Sequence, residues 1–248
     1  MVKLLELIWG PGYMAPGGSG NVAKLLEGTE PAGKLILDVG CGIGGPAMEI
    51  VRSHGAQVVG VDLEEPLIAR ANRSAREAGL QEHCSFKCVQ PGPLQFADAS
   101  FDIVLSSGAV TQTPDKDALF AEIYRVLKPG GYFSCYEWMG TGAPLSEDMH
   151  YWIKLEELTY AFETLEGYAT LFRTAGFNNV QAIDASGWYR REARKEHDLL
   201  RGELYEAMVD LIGQQDADHF VENWRAMVIV CDSGEMRQGY CKGQRPAD

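Results

Sequence analysis

Leu35-Ile36-Leu37-Asp38-Val39-Gly40-Cys41-Gly42-Ile43-Gly44-Gly45-Pro46 reads as a short apolar strand running into a glycine turn, with an acid two residues before the first glycine. Glycine is required where the chain must turn sharply at positive φ and a ligand must approach the backbone without a Cβ in the way. A helix from about Pro46 then points its N-terminus at whatever the turn holds. A second apolar run, Gln57-Val58-Val59-Gly60-Val61-Asp62-Leu63, ends in an acid that falls 20 residues after Gly42. A carboxylate at the tip of the second strand is placed to accept both hydroxyls of a ribose. Together the two runs specify a nucleotide-type cofactor site.

Two cofactor classes share this arrangement. Gly40, Gly42 and Gly45 also satisfy dinucleotide spacing. A dinucleotide sets a pyrophosphate against the turn, whereas S-adenosylmethionine sets a cationic amino acid there. Asp38 suits the ammonium and sulfonium of the second ligand and repels the pyrophosphate of the first. The charge favours S-adenosylmethionine.

The rest of the chain extends the pattern. Ser100 to Ser107 reads as a strand, and Asp115 to Leu127 as a helix with Leu119, Ile123, Val126 and Leu127 on its apolar face. Lys128-Pro129-Gly130-Gly131 stops that helix before the strand Tyr132 to Tyr136. Alternating strand and helix signals from 34 to about 139 predict a parallel sheet with helices on both faces. Val2 to Ile8 reads as helical, and the Gly- and Pro-rich stretch Trp9 to Gly18 as an irregular loop. We expect one domain over 1–248, with residues 1–30 acting as an N-terminal lid and helical insertions at 140–178 and 185–235 on the substrate side. Glu147 to Thr174 reads as a helix, Val180 to Ile183 as a sixth strand, Tyr189 to Gly213 as a charged helical segment and Gly239 to Gly243 as the last strand.

The 248 residues carry a net charge of −13, with 46% hydrophobic and 23% charged residues. That excess of acid disfavours nucleic acid, whose phosphates need clustered Lys and Arg. Neither an apolar run near membrane-spanning length nor a secretion signal is visible, so a cytoplasmic protein with no membrane partner is expected. The six cysteines have no framework spacing and read as reduced thiols. Cys84 and Cys88 lack a second ligand pair, so no metal is expected. Oligomeric state is not legible.

The ordered set Asp38-Val-Gly-Cys-Gly, Asp62, the strand at 100–107 and Lys128-Pro-Gly-Gly resembles the class I S-adenosylmethionine-dependent methyltransferases over roughly residues 33–139. That resemblance implies a Rossmann-like, seven-stranded, mostly parallel sheet with an antiparallel last strand. It also implies a cofactor set of Asp38, Gly40, Gly42, Gly44, Asp62, Leu63, Gln90 and Ser106. Beyond this core, Ile8 to Gly18, Pro114-Asp115-Lys116 and Gly234 to Tyr240 are similar to the small-amine N-methyltransferases, the sarcosine and dimethylglycine enzymes and the phosphoethanolamine enzymes. Sterol C-methyltransferases share the wording from Asp38 to Pro46.

This chain departs from those families at three places. Where they write Ser-x-Asp-Ala-x-x-His-x-Pro-Asp-Lys, it has Gly108 for the acid and Gln112 for the histidine. In the phosphoethanolamine enzymes that histidine pairs with a tyrosine whose position corresponds to Tyr13, so the resemblance implies Tyr13 and Gln112 at the reacting groups. An amide orients a substrate but takes no proton at neutral pH. The acid that accepts from adenine falls on Gln90, beside Pro91, with Asp98 close by. Ala185 stands where phosphobase enzymes place a basic residue, and Arg190 and Arg191 follow it. Trp9, Tyr13, Trp138 and Trp188 are the candidate aromatic faces for a small substrate with a methylated ammonium group. The expected activity is methyl transfer to a small molecule at nitrogen, the alternatives being transfer to carbon or sulfur, or cofactor binding without turnover.

Overall fold

The structure is a computed structural model and describes residues 2–247. Its sheet has seven strands, β1 (Leu35–Val39), β2 (Gln57–Asp62), β3 (Cys84–Cys88), β4 (Phe101–Ser107), β5 (Leu127–Met139), β6 (Asn178–Asp184) and β7 (Arg237–Gln244), in the spatial order β3-β2-β1-β4-β5-β7-β6. The pairs from β3 to β5 are parallel, and β7 runs antiparallel to both β5 and β6. The sequence-based expectation of a mostly parallel sheet closed by an antiparallel last strand holds.

Alternation along the strands divides the core into two layers. Ile36 faces a cluster with Val22 and Leu25 of α2 (Gly18–Leu26), Ile50 of α3 (Gly45–His54) and Ala71 of α4 (Glu65–Glu77). Its neighbour Leu37 faces the opposite cluster, with Phe120 of α5 (Lys116–Val126) and Phe172 of α7 (Leu165–Thr174). A third cluster joins Leu4 of α1 (Val2–Trp9), Trp152 of α6 (Glu147–Glu156), Tyr189 of α8 (Ser186–Leu200), Met208 of α9 (Tyr205–Ile212) and Trp224 of α10 (Gln214–Asp232). This cap meets the sheet at Trp138, near the C-terminal end of β5.

The structure changes four of the sequence boundaries. The strand expected over Tyr132 to Tyr136 is longer, since β5 begins at Leu127, directly after α5, and runs through Lys128-Pro129-Gly130-Gly131 to Met139. The helix expected over 147–174 is two helices, α6 and α7. Its chain turns at Glu157 (φ +56) and then spends its backbone on other elements: Ala161 N–H donates to Thr111 O at 2.8 Å and Gly140 N–H donates to Glu163 O at 3.0 Å. Thr164 then caps α7 by accepting from Gly167 N–H. The charged segment from 189 to 213 likewise divides into α8 and α9. Finally, only residues ahead of Gly18 form a crossing segment, because α2 is packed into the first core layer through Val22, Leu25 and Leu26.

Candidate active site

In the order β3-β2-β1-β4, the chain reverses its direction of travel beside β1, and the crevice at the strand ends there is the expected ligand position in an open α/β sheet. The turn after β1 is anchored to β2, since Gly40 N–H and Cys41 N–H both donate to Val61 O, at 2.8 and 3.0 Å. Gly40 has φ +75, and a Cβ there would stand 2.1 Å from Ala109 Cβ, so the turn and the loop after β4 meet only because the residue is glycine. Asp62, the last residue of β2, accepts from Gly42 N–H through Oδ2 at 2.8 Å and from Glu64 N–H through Oδ1 at 3.0 Å. Those two bonds fix its carboxylate and leave its remaining lone pairs for other donors.

The turn borders a cavity of about 60 Å³ lined by Tyr13, Asn21, Asp38, Gly40, Gly42 and Ser107, among others. Asp38 is 4% exposed and its Oδ2 has no hydrogen-bond partner. Burial pushes its carboxyl up to about 7, and the Asp62 charge adds to that. A buried acid facing a second acid is matched by a cation, which makes these residues fit a sulfonium nucleoside better than a pyrophosphate.

Raising a carboxyl in the folded state has a definite sign for stability. The folded protein keeps the Asp38 proton at pH values where the unfolded chain, at 3.8, has lost it. The stabilisation is full below about pH 4 and is lost as pH rises through about 7. Asp38→Asn is therefore expected to melt at a higher temperature than the parent at pH 8 and at the same temperature at pH 4. It is also expected to bind a cationic nucleoside more weakly. Thermal melts across that range, paired with calorimetry, check both.

The segment ahead of α2 crosses the turn as a strap. A Cβ on Gly45 would lie 2.0 Å from Gly12 O, and one on Gly42 would lie 3.1 Å from Met14 Sδ. The strap is tied on both sides. Glu6 accepts from Gly12 N–H at 2.8 Å and pairs with Arg70 of α4. On the other side Trp9 Nε1–H donates to Glu196 of α8 at 2.7 Å, and its ring packs on Trp224 at 6.0 Å. Glu196 also accepts from Trp224 Nε1–H at 3.0 Å and from the Tyr189 hydroxyl at 3.3 Å.

Of the residues singled out in the sequence, Tyr13, Asp38, Gly40 and Gly42 line one cavity, with Asp62 bonded to its wall. The others stand elsewhere. Ser106 is fully buried and bonds to Glu137 at 3.3 Å, so the strand presents its neighbour Ser107 instead. Gly44 packs under Phe86, Gln90 is exposed beyond β3, and Leu63 is 55% exposed beside Asp62. Gln112 is exposed and is not in the cavity with Tyr13; its 3₁₀ turn, Val110–Gln112, is held from below by Glu137. Trp9 is bound to Glu196, Trp138 packs on Tyr189 at 5.0 Å, and Trp188 lies against Gly17 and Tyr136, so the three do not form one cage around the cavity.

Sequence reasoning missed Glu137 and Asn21. Glu137 is fully buried, accepts from Thr111 N–H at 3.0 Å and Val110 N–H at 3.3 Å, and is pushed up to about 7 by burial. Lys116 lies nearby and donates to Thr113 O at 2.8 Å and to Ala161 O, tying the loop after β4 to the cap. The signal for Asn21 was present: it is a polar residue on the face of α2 that buries Val22, Leu25 and Leu26.

Comparison with known proteins agrees with this geometry. Residues 37–135 match the family model of a methyltransferase domain. Phosphoethanolamine N-methyltransferase 3 of Arabidopsis thaliana is 28% identical over 94% of this chain and 47% of its own length. Sterol 24-C-methyltransferase erg6 of Aspergillus fumigatus is 38% identical over 63% of this chain and 45% of its own. A solved structure of Haemonchus contortus phosphoethanolamine N-methyltransferase 2, with phosphomonomethylethanolamine and S-adenosylhomocysteine, superposes with a TM-score of 0.91 at 24% identity, covering 99% of this chain and 57% of that one. The chain spans about half the length of the curated relatives it matches. Residues 37–135 therefore carry a methyltransferase domain, set in a fold shared with the solved phosphoethanolamine enzyme.

Proposed function

We propose that the chain transfers a methyl group from S-adenosylmethionine to the nitrogen of a small amine. The observation that carries this reading is coverage: the amine-methylating relatives match 94 to 97% of the chain, cap included, whereas the sterol relatives match 63 to 69%. When bound, the cofactor supplies a methyl group on a sulfonium, whose positive charge is lost as the methyl leaves. Asp62 would hold the ribose hydroxyls and Asp38 would face the positive end. The strap, which crosses the turn, would exclude water during transfer. Ligand sites for such molecules enclose about 300–1,000 Å³, and the strap, which crosses over a cavity of about 60 Å³, is the segment assigned to open for the cofactor.

The amine must present a lone pair. Tyr13 does not take its proton at neutral pH, because burial and Glu49 raise its hydroxyl above the usual tyrosine value. No histidine lines the cavity, and Gln112 has no basic nitrogen. Asp38, the remaining titratable group of the cavity with a carboxyl pushed up to about 7, is assigned to the cofactor's positive end, so the substrate arrives neutral, and at saturating cofactor kcat/KM is expected to rise with pH along the substrate's own ionisation. A profile governed instead by an enzyme group near 6.5, and abolished by changing His83, His150 or His197, contradicts this.

Phosphate is disfavoured. Ala185 stands where phosphobase enzymes place a basic residue, and the two arginines that follow it are already engaged with backbone, Arg190 donating to Cys231 O at 3.0 Å and Arg191 to Gly187 O at 2.7 Å. Rates of S-adenosylhomocysteine formation with ethanolamine, sarcosine, phosphoethanolamine, a thiol and an alkene test the reading. Fastest turnover with an unphosphorylated amine supports it. A preference for the alkene instead favours carbon methylation, the reading suggested by the 38% identity to the sterol enzyme.

A further inference from the structure

Asn21 is 6% exposed on the core-facing side of α2. Burying an amide there is unfavourable unless both its ends find partners. Only one end does. Nδ2 donates to Ser107 Oγ at 3.0 Å, while Oδ1 is buried with no partner. Ser107 accepts in that bond, so its own O–H proton stays available. Both side chains line the cavity beside the glycine turn, together with Asp38, whose Oδ2 is also without a partner.

The cavity's lining residues therefore carry two unsatisfied acceptors and one free hydroxyl donor. A primary ammonium has three donors and no acceptor, and a carboxylate has acceptors only. The complement of that set is an α-amino acid zwitterion. We propose that Asn21 and Ser107 hold the amino-acid end of the cofactor, Asn21 Oδ1 and Asp38 accepting from its ammonium and the Ser107 hydroxyl donating to its carboxylate. The inference rests on the S-adenosylmethionine reading above and adds to it a binding role for a helix that precedes the glycine turn.

The test compares two ligands that share the nucleoside and the sulfur. S-adenosylhomocysteine carries the amino-acid tail, and 5′-methylthioadenosine carries a methyl group in its place. Calorimetry on the parent first establishes that both bind; a parent that binds neither overturns the cofactor reading and this inference with it. Asn21→Ala is then expected to lose about tenfold or more in affinity for S-adenosylhomocysteine and to keep its affinity for 5′-methylthioadenosine, a difference that a merely structural role does not produce. Equal losses for both ligands, or an unchanged affinity for S-adenosylhomocysteine, overturn the assignment. Should Asn21→Ala fail to fold, Ser107→Ala carries the same comparison, with the same selective loss expected and the same equal loss contradicting it.

Discussion

Asp62→Ala is expected to lower the affinity for S-adenosylmethionine by about 10- to 150-fold, the range that follows from losing hydrogen bonds to a charged acceptor worth about 1.5–3 kcal/mol. Two losses add in the same direction. The variant removes the acceptor for the ribose hydroxyls, and it also frees Gly42 N–H and Glu64 N–H, which the carboxylate now holds at 2.8 and 3.0 Å. The second loss loosens the turn that the ligand must pack against. Asp62→Asn separates them: its amide oxygen can keep one backbone bond while the charge is gone. Calorimetry on both variants is expected to give an intermediate affinity for the amide. An alanine variant that binds as tightly as the parent contradicts the placement of the nucleoside at this turn.

Removing residues 2–14 is expected to leave a folded protein whose methyl transfer falls by about 100-fold or more, the scale on which small losses of alignment act. The sheet does not depend on this segment, because the first helix in its core layers, α2, begins at Gly18. The cap does depend on it in part. Leu4 is 2% exposed in the cap core, and Trp9 covers Trp224 and binds Glu196, so truncation uncovers those groups and lowers the melting temperature. Circular dichroism checks that the fold survives, and turnover checks the loss. A milder version, Glu6→Gln, releases the tie to Arg70 alone and is expected to raise the rate of cofactor exchange more than it lowers kcat. Full activity in the truncated protein would show that the strap is only a linker.

The parts of this site that were legible in the sequence are the ones built from local backbone. A strand, a glycine turn and an acid 20 residues on are separated by one βαβ unit, so their spacing in the chain determines their spacing in the fold. The parts that were not legible depend on distant partners. The sequence marks Trp9 as a candidate aromatic wall, but its indole N–H reaches Glu196, 187 residues away, and nothing near Trp9 announces that partner. Leu155, Leu158, Phe162 and Leu165 have helical spacing, yet the chain between 157 and 164 leaves the helix to bond with Thr111 and Gly140. Ser106 and Ser107 differ only by strand parity. A one-residue shift in the strand exchanges the face that meets Glu137 for the face that meets the cavity.

Gln112 shows how far resemblance carries. The motif around it set it beside Tyr13, whereas the structure puts its turn on the exposed side of the loop after β4, supported from beneath by the buried Glu137. What remains at the cavity is an orienting surface whose one carboxylate, Asp38, is assigned to the cofactor's positive end, which is consistent with a neutral amine attacking an aligned sulfonium.

The most direct measurement is to supply S-adenosylmethionine labelled with carbon-13 at its methyl group, together with an unphosphorylated amine, and to locate the label in the product by NMR. The account predicts a new N-methyl signal that grows in step with S-adenosylhomocysteine and is absent with Asp62→Ala. Label found on carbon or sulfur, or cofactor that binds the parent and is never consumed with any amine, would contradict it.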